Sequence, residues 1–266
     1  ASDVYKRQGI NGTQALTIAA GHGTYSVGRV QTPTLGMVCE RYWENRRFTP
    51  EAFWQLHIAV DGNNDGTVKL SSSGKWKEKE PATALYNKVK EAGTATVTKA
   101  ERKEKTEDTP LLYDLTTLQR EANKAFVYTA QQTLDYTQSL YEGKLVTYPR
   151  TDSQFLSDDM AQTALDVAKL CDTYFGFGIS HTPDISKVIN NSKVSGHHAI
   201  IPTSGIATAD LSSLPTGEKN ILTLIATKLI CATAPAHKYD AVKLTGICNG
   251  TEFTATGRTV LDMGWK

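Results

Sequence analysis

The sequence lacks the features that would assign it at a glance. Neither charge is in surplus: 29 Lys and Arg against 28 Asp and Glu leave a formal net charge of +1. No chain-wide field therefore attracts nucleic acid, and any such contact must be local. The four cysteines, Cys39, Cys171, Cys231 and Cys248, stand far apart, with no C-x-x-C pair and no Cys/His cluster at zinc spacing. That pattern speaks against a zinc module and for reduced thiols in a core. Long apolar runs are missing too. The most apolar stretch, Ile221 to Ala236, is interrupted by Lys228 and falls short of the roughly 20 residues a bilayer span needs. With no signal-peptide pattern either, the expected location is the cytosol.

What is present is an ordinary globular composition over 266 residues, enough for one large domain or two to three small ones. The run Asp3 to Gln8 resembles translated adapter sequence from a transposon-based library, so residues 1–8 are set aside as a cloning or sequencing artefact. Val260 to Lys266 reads as a strand entering a Gly-Trp turn with no closing element. The natural chain is expected to extend in both directions.

Local patterns define the elements. Ile10 to Gly21 is weakly helical and leads through Gly21, Gly23 and Gly28 into a close-approach loop. Thr32 is the expected N-cap of a helix with Pro33 at its first position and Leu35, Val38 and Tyr42 on one face, ending near Arg46. Strands are expected over Ala52–Val60 and Thr67–Ser71 around the turn Asp61 to Gly66, a short helix over Pro81–Glu91, and a strand over Thr94–Glu101. The charged run Glu101 to Asp108 reads as a solvated strand end or linker.

Asp114 opens a helix with Leu115, Leu118, Ala122 and Ala125 on one face, and Thr129 with Gln132 forms a capping box for a second helix running to Gly143. The pair is either a helix-turn-helix or an ordinary helical hairpin. Ser157 is the expected cap of a helix from Asp158 to about Tyr174, and another helix spans Glu218 to about Thr233. Ala241–Cys248 and Glu252–Thr256 alternate as strands around the hairpin signal Asn249-Gly250. Strands on both sides of a helical block predict a helical unit inserted into a β domain.

Three segments carry chemistry. In Thr147-Tyr148-Pro149-Arg150-Thr151-Asp152-Ser153, Pro149 prevents helix and biases Tyr148 toward extended backbone. Tyr148 and Arg150 then point the same way. A phenol, with a pKa of about 10, leaves phosphorus more readily than a sugar alkoxide, so a phosphotyrosine link is easily reversed. The Arg150 guanidinium offers a planar charged fork to a phosphate. Taken alone, Tyr-x-Arg is weak evidence, and a half-buried tyrosine that only packs fits the pair better.

Gly196-His197-His198 precedes the apolar run Ala199-Ile200-Ile201. An imidazole there can donate to a phosphate or move a proton near neutral pH. A metal pair would need a third ligand at a suitable spacing, which the sequence does not offer. In Ser26 to Thr34, Arg29 and Gln31 lie two apart beside Gly28, suited to gripping a backbone or base edge, or simply to a tight turn entering a capped helix.

The strings SVGRVQTPTL at 26–35, LYDLTTLQREAN at 112–123, TYPRTDS at 147–153 and HHAIIPT at 197–203 resemble, in this order, the type IA DNA topoisomerases. Pro149 after the tyrosine is most similar to the topoisomerase III branch. The resemblance implies an α+β multidomain fold, part of a ring, with a β arch into which a helix-turn-helix-like, tyrosine-bearing domain is inserted. Residues 9–47 then resemble part of helical domain IV, residues 48–108 and 236–266 the two halves of arch domain II, and residues 109–235 domain III.

By the same resemblance Tyr148 is the nucleophile that holds a 5′ phosphate of single-stranded DNA. Arg150 positions the tyrosine and phosphate, His197 contacts the phosphate, and His198 has no role. Ser26, Arg29 and Gln31 line the single-strand groove. The family's Toprim domain, with its glutamate, lysine and Mg2+-binding acidic cluster, lies upstream and is not in this chain. Mg2+ is therefore expected only in the full-length enzyme, and the fragment alone is expected not to complete a cycle. The implied partner is single-stranded or underwound DNA, with no membrane, for a monomer of the bacterial cytoplasm and nucleoid. A helix-turn-helix module with an incidental tyrosine is the alternative of a different class. A relaxase would want a histidine cluster for a metal, and a tyrosine recombinase further Arg and His residues about the tyrosine.

Overall fold

The computed structural model describes residues 2–61 and 66–266, the side chains of residues 2, 3 and 5 excepted. Residues 62–65 of the predicted Asp61 to Gly66 turn lie outside the described residues. The chain divides into two units, 1–56 with 74–91 and 57–73 with 92–266.

In the first unit, helix α1 (Ser2–Ala20) begins within the residues set aside on sequence grounds and continues through the expected helix. Gly9 and Gly12 let segment 25–27 close on this helix: a Cβ would stand 3.3 Å from the Val27 carbonyl oxygen and 3.5 Å from its side chain, respectively. Thr13 Oγ1 accepts the Val27 N–H at 2.9 Å and Thr17 Oγ1 accepts that of Tyr25 at 3.0 Å.

Helix α2 (Gln31–Arg46) corrects the predicted cap. Val30 is its N-cap without a side-chain bond, and the Thr32 hydroxyl instead accepts the Gly28 N–H at 3.1 Å, closing the turn ahead of the helix. The face of Leu35, Val38 and Tyr42 is exposed, and α2 buries no residue. Helix α3 (Lys79–Ala92) buries Ala82 and Val89. The strand predicted from Ala52 is shorter than expected; Trp54 only makes a bridge with Trp76.

The second unit joins a sheet to a helical block. Strands β1 (His57–Asp61), β2 (Thr67–Ser72), β3 (Thr96–Glu107), β4 (His237–Cys248) and β5 (Thr251–Asp262) form one antiparallel sheet in the order β1-β2-β5-β4-β3. Asn249 (φ 46°) and Gly250 (φ 72°) take the left-handed conformations that the predicted two-residue hairpin requires. The charged run Glu101–Glu107 is a full partner of β4, from Glu101 opposite Lys243 to Glu107 opposite His237, rather than a linker. Charge and Lys along an edge strand keep it from pairing with another chain. Past β5 the chain turns as expected, and Trp265 Nε1 donates to the Glu107 carbonyl at 3.2 Å while Lys266 pairs with the Glu107 carboxylate at 2.5 Å.

Residues 109–235 lie between the paired strands β3 and β4. Helix α4 (Leu115–Phe126) starts at Asp114, whose carboxylate accepts the Thr117 N–H at 2.6 Å. Helix α5 (Ala130–Glu142) has the full Thr129/Gln132 capping box. The predicted Ser157 cap fails: its side chain makes no cap bond, and a 3-10 turn over Asp158–Met160 precedes helix α6 (Ala161–Phe175). Helix α7 (Thr216–Thr233) is the core, burying Ile221, Leu222, Ile225, Ala226, Leu229 and Ile230. Against it α6 sets Ala164, Val167, Ala168 and Cys171 at helical spacing.

Cys171 and Cys248 are buried as expected, and burial pushes the Cys171 thiol up to about 12. Cys231 is half-buried and Cys39 is exposed, contrary to expectation.

Two glycines set close approaches. A Cβ at Gly217 would enter the Tyr136 ring, and one at Gly205 would overlap the Lys144 carbonyl oxygen. The second neighbour is backbone and cannot swing away. Gly205→Ala should therefore destabilise the chain by about 1–3 kcal/mol through overpacking, read as a lower urea midpoint. Gly196→Ala, with nothing within 4 Å of its Cβ, should leave the midpoint within about 0.5 kcal/mol of the parent.

Candidate active site

Two irregular segments, 145–156 and 197–203, meet at the surface of the helical block. Buried backbone polar groups outside helices and sheets must find individual partners, and these two segments supply them to each other. Thr147 N–H donates to the Ile201 carbonyl at 2.9 Å and Thr203 N–H to that of Leu145 at 2.9 Å. Ile200 N–H donates to the Tyr113 carbonyl at 2.8 Å, and Ala199 N–H to that of Phe155 at 2.9 Å. Pro149 is buried and has no N–H to satisfy.

Threonine hydroxyls complete the pairing. Thr147 Oγ1 donates to the Ala199 carbonyl at 3.1 Å and accepts the Ile201 N–H at 3.0 Å. Thr151, only 8% exposed, donates to the His197 carbonyl at 2.8 Å and accepts the Ser153 N–H at 3.1 Å. Ser153 Oγ donates to the Lys193 carbonyl at 2.9 Å, fixing the stretch before the histidines.

This pairing brings the Tyr148 and His197 rings together, centroids 4.3 Å apart and planes inclined by 41°. On another side Tyr141 meets Tyr148 edge-on at 5.5 Å. Tyr148 is half-buried, while His197 and Arg150 are exposed. Arg150, two residues on across a bend at Pro149, makes no ion pair among the described residues. His198 turns its Nδ1 to the Ala199 carbonyl at 2.9 Å. The Tyr148 hydroxyl has no hydrogen-bond partner among the described residues.

Three other tyrosines of the block have engaged hydroxyls, while Tyr136 and Tyr141 make ring contacts only among the described residues. Tyr113 is buried and its hydroxyl donates to Glu121 at 2.5 Å. Burial pushes that phenol up, and the Glu121 carboxylate adds to the shift. Tyr128 accepts from Asn220 at 2.9 Å, and Tyr174 donates to the Ala207 carbonyl at 3.1 Å. A half-buried phenol with a free hydroxyl, an imidazole against its ring and a guanidinium on the same stretch can form and stabilise an ester of a phosphate.

Ser26 and Arg29, from the other unit, help to line a hollow of about 810 Å3 with Lys6, Gln8, Thr13 and Gln14. Gln31, exposed at the start of α2, is not in that lining. Thr13, Thr17, Thr147 and Thr151 were missed by sequence reasoning. Thr13 and Thr17, one helical turn apart, were the available signal; Thr147 and Thr151 stood inside the tyrosine string itself. Among the described residues no three of His, Cys, Asp and Glu gather closely enough to hold a metal ion. The described residues therefore do not fit a magnesium site.

Residues 6–266 match the family described as DNA topoisomerase. DNA topoisomerase 3 of Bacillus subtilis (strain 168) is 38% identical over 271 residues, covering 97% of this chain and 36% of that protein. DNA topoisomerase 3 of Bacillus licheniformis is 37% identical over 267 residues, with the same two coverages. The chain thus spans about a third of the length of these relatives. Among solved structures, full-length topoisomerase I from Thermotoga maritima superposes with a TM-score of 0.65 at 22% identity, covering 91% of this chain and 40% of that one. That likeness carries the α+β fold with its antiparallel sheet. On the sequence matches, this chain belongs to the type IA DNA topoisomerases.

Proposed function

We propose that the protein containing this chain cuts one strand of DNA through a 5′-phosphotyrosine link, passes another strand through the gap and reseals the first without ATP. The free hydroxyl of Tyr148 beside the His197 ring is the observation that carries it. Tyr148 Oη attacks the scissile phosphorus; an O–P bond forms and the bond from phosphorus to the 3′ oxygen breaks. The departing 3′ oxygen takes up a proton and leaves as a hydroxyl, while the phenol proton is lost to solvent or a base. Resealing reverses both bonds, so one ester replaces another and no energy source is consumed. Arg150 faces the charge that builds on the phosphate oxygens, and His197 donates to one of them.

Under this proposal residues 9–47, with Ser26, Arg29 and Gln31, belong to helical domain IV and its single-strand groove. Residues 48–108 and 236–266 form arch domain II, and 109–235 form tyrosine domain III. Of residues 1–8, read as an adapter, residues 6–8 lie within the family match, so the adapter reading is kept only for residues 1–5. The proposed partner is single-stranded or underwound DNA, bound by a monomer in the bacterial cytoplasm. Magnesium chemistry belongs to a Toprim domain outside this chain, and the topoisomerase III flavour suggests unlinking of joined DNA molecules.

In the full-length protein, an end-labelled single-stranded oligonucleotide should leave a covalent adduct on a denaturing gel, and Tyr148→Phe should abolish it. An adduct surviving in that variant overturns the assignment. Thr151→Val keeps the shape but removes the bond to the His197 carbonyl. Misplacement on the scale of 1 Å costs about 100-fold, so adduct formation should slow by about 10- to 100-fold at saturating oligonucleotide, with oligonucleotide affinity unchanged. Thr151→Ser should restore the rate, whereas a change in affinity alone would remove Thr151 from a positioning role. The 266-residue chain by itself should leave supercoiled plasmid unrelaxed in magnesium, and turnover by it would show that the acidic cluster is dispensable.

A further inference from the structure

The exposed face of β3, β4 and β5 gathers charge that the tyrosine site does not use. Side chains two apart on a strand share a face, so Glu101, Lys103 and Lys105 of β3 stand beside Lys243, Ala241 and Tyr239 of β4 in register. Across β4, Ala241 faces Arg258 of β5. Together they line a shallow hollow of about 560 Å3. Its one lining carboxylate, Glu101, pairs with Lys99 at 2.8 Å, and Glu107 farther along β3 pairs with Lys266 at 2.5 Å. Lys103, Lys105, Lys243 and Arg258 make no ion pair among the described residues. In a chain of net charge +1, this is a local concentration of cations.

We propose that this face docks the backbone of double-stranded DNA, at a place separate from the strand held at Tyr148. Lys103 and Lys105 are spaced by about 6.8 Å along β3, which matches two steps of about 3.4 Å along one duplex strand. The only aromatic ring of the hollow favours a duplex over a single strand. Tyr239 already has His237 stacked at 5.5 Å and the Arg258 guanidinium 4.9 Å from its centroid. Single strands are gripped by stacking bases on free rings, and this ring is already engaged by two neighbours. Lysines on an unpartnered sheet read phosphates without reading bases. The proposal rests on the topoisomerase assignment only for the choice of DNA as the polyanion.

The test is the salt dependence of binding of the 266-residue chain to a fluorescent blunt duplex, followed by anisotropy. Each phosphate contact adds about 0.9 to the slope of log K against log salt. Lys103→Gln, Lys105→Gln and Lys243→Gln together should cut the slope by about 2.7, so the parent's advantage shrinks by about 40-fold on a fourfold rise in salt. Replacing the same three lysines by Arg should preserve binding. Lys79→Gln, Lys88→Gln and Lys90→Gln on α3 remove equal charge elsewhere and should leave the slope unchanged. Equal slopes for the parent and the sheet-face variant overturn the proposal, as does an equal loss in the α3 variant, which would mark a net-charge effect. A single-stranded oligonucleotide of the same length that competes fully for the lysine-dependent site also overturns the duplex assignment. Failure here leaves the Tyr148 adduct untouched, and loss of the adduct in the full-length protein leaves this surface standing.

Discussion

Tyr148 and His197 are separated by 48 intervening residues, yet their rings touch because the backbones on either side of them have no other way to be buried. Segments 145–147 and 199–203 enter the core without being part of a helix or a full strand, and an unpaired buried N–H or C=O costs as much as a lost hydrogen bond. The ladder from Leu145 to Thr203 removes that cost. Thr147 and Thr151 extend it by acting as side-chain surrogates for backbone partners. The site's geometry is therefore a by-product of satisfying buried amides, and it is as rigid as that requirement makes it.

The same logic explains what is left free. Tyr113, Tyr128 and Tyr174 spend their hydroxyls on protein partners; Tyr148, like Tyr136 and Tyr141, does not, and it alone of these has a histidine ring against it. Its ring is held on two sides, by His197 and Tyr141, so the phenol is oriented by packing and not by a hydrogen bond that attack would have to break. Tyr113 shows the opposite outcome: Glu121, Lys228 and burial lock it into structure. Position relative to the surface, more than residue type, separates a candidate nucleophile from a core tyrosine.

What could be read in the sequence follows from how local each signal is. Asp114, the Thr129/Gln132 box and Asn249-Gly250 act within four residues, and each sits where its pattern places it. Thr32 and Ser157 have equally good local patterns but lose to neighbours: Thr32 is drawn back to Gly28, and the Asp158 N–H takes the Asn191 side chain at 2.9 Å. The mixed-charge run Glu101–Glu107 left strand end and linker both open, and the exposed strand is decided by its pairing with β4, beyond the whole helical block. The Thr151 contact to the His197 carbonyl was equally invisible, since nothing within the string around Tyr148 names the segment it will meet.

These long-range pairings also set where polar function can reside. Strand β3 is exposed along almost its whole length, so its lysines cannot be there to fill a core, and α7 is apolar enough to stabilise the unit without them. A strand held only by its ladder to β4 tolerates nearly any side chain on its open face, provided the face does not invite another sheet. Lysine satisfies that condition whether or not it binds anything. A same-face run of one sign that no carboxylate pairs is what separates a phosphate rail from a merely soluble edge. On Lys103 and Lys105 both conditions coincide: same face, same sign, and neighbouring glutamates already neutralised by Lys99 and Lys266.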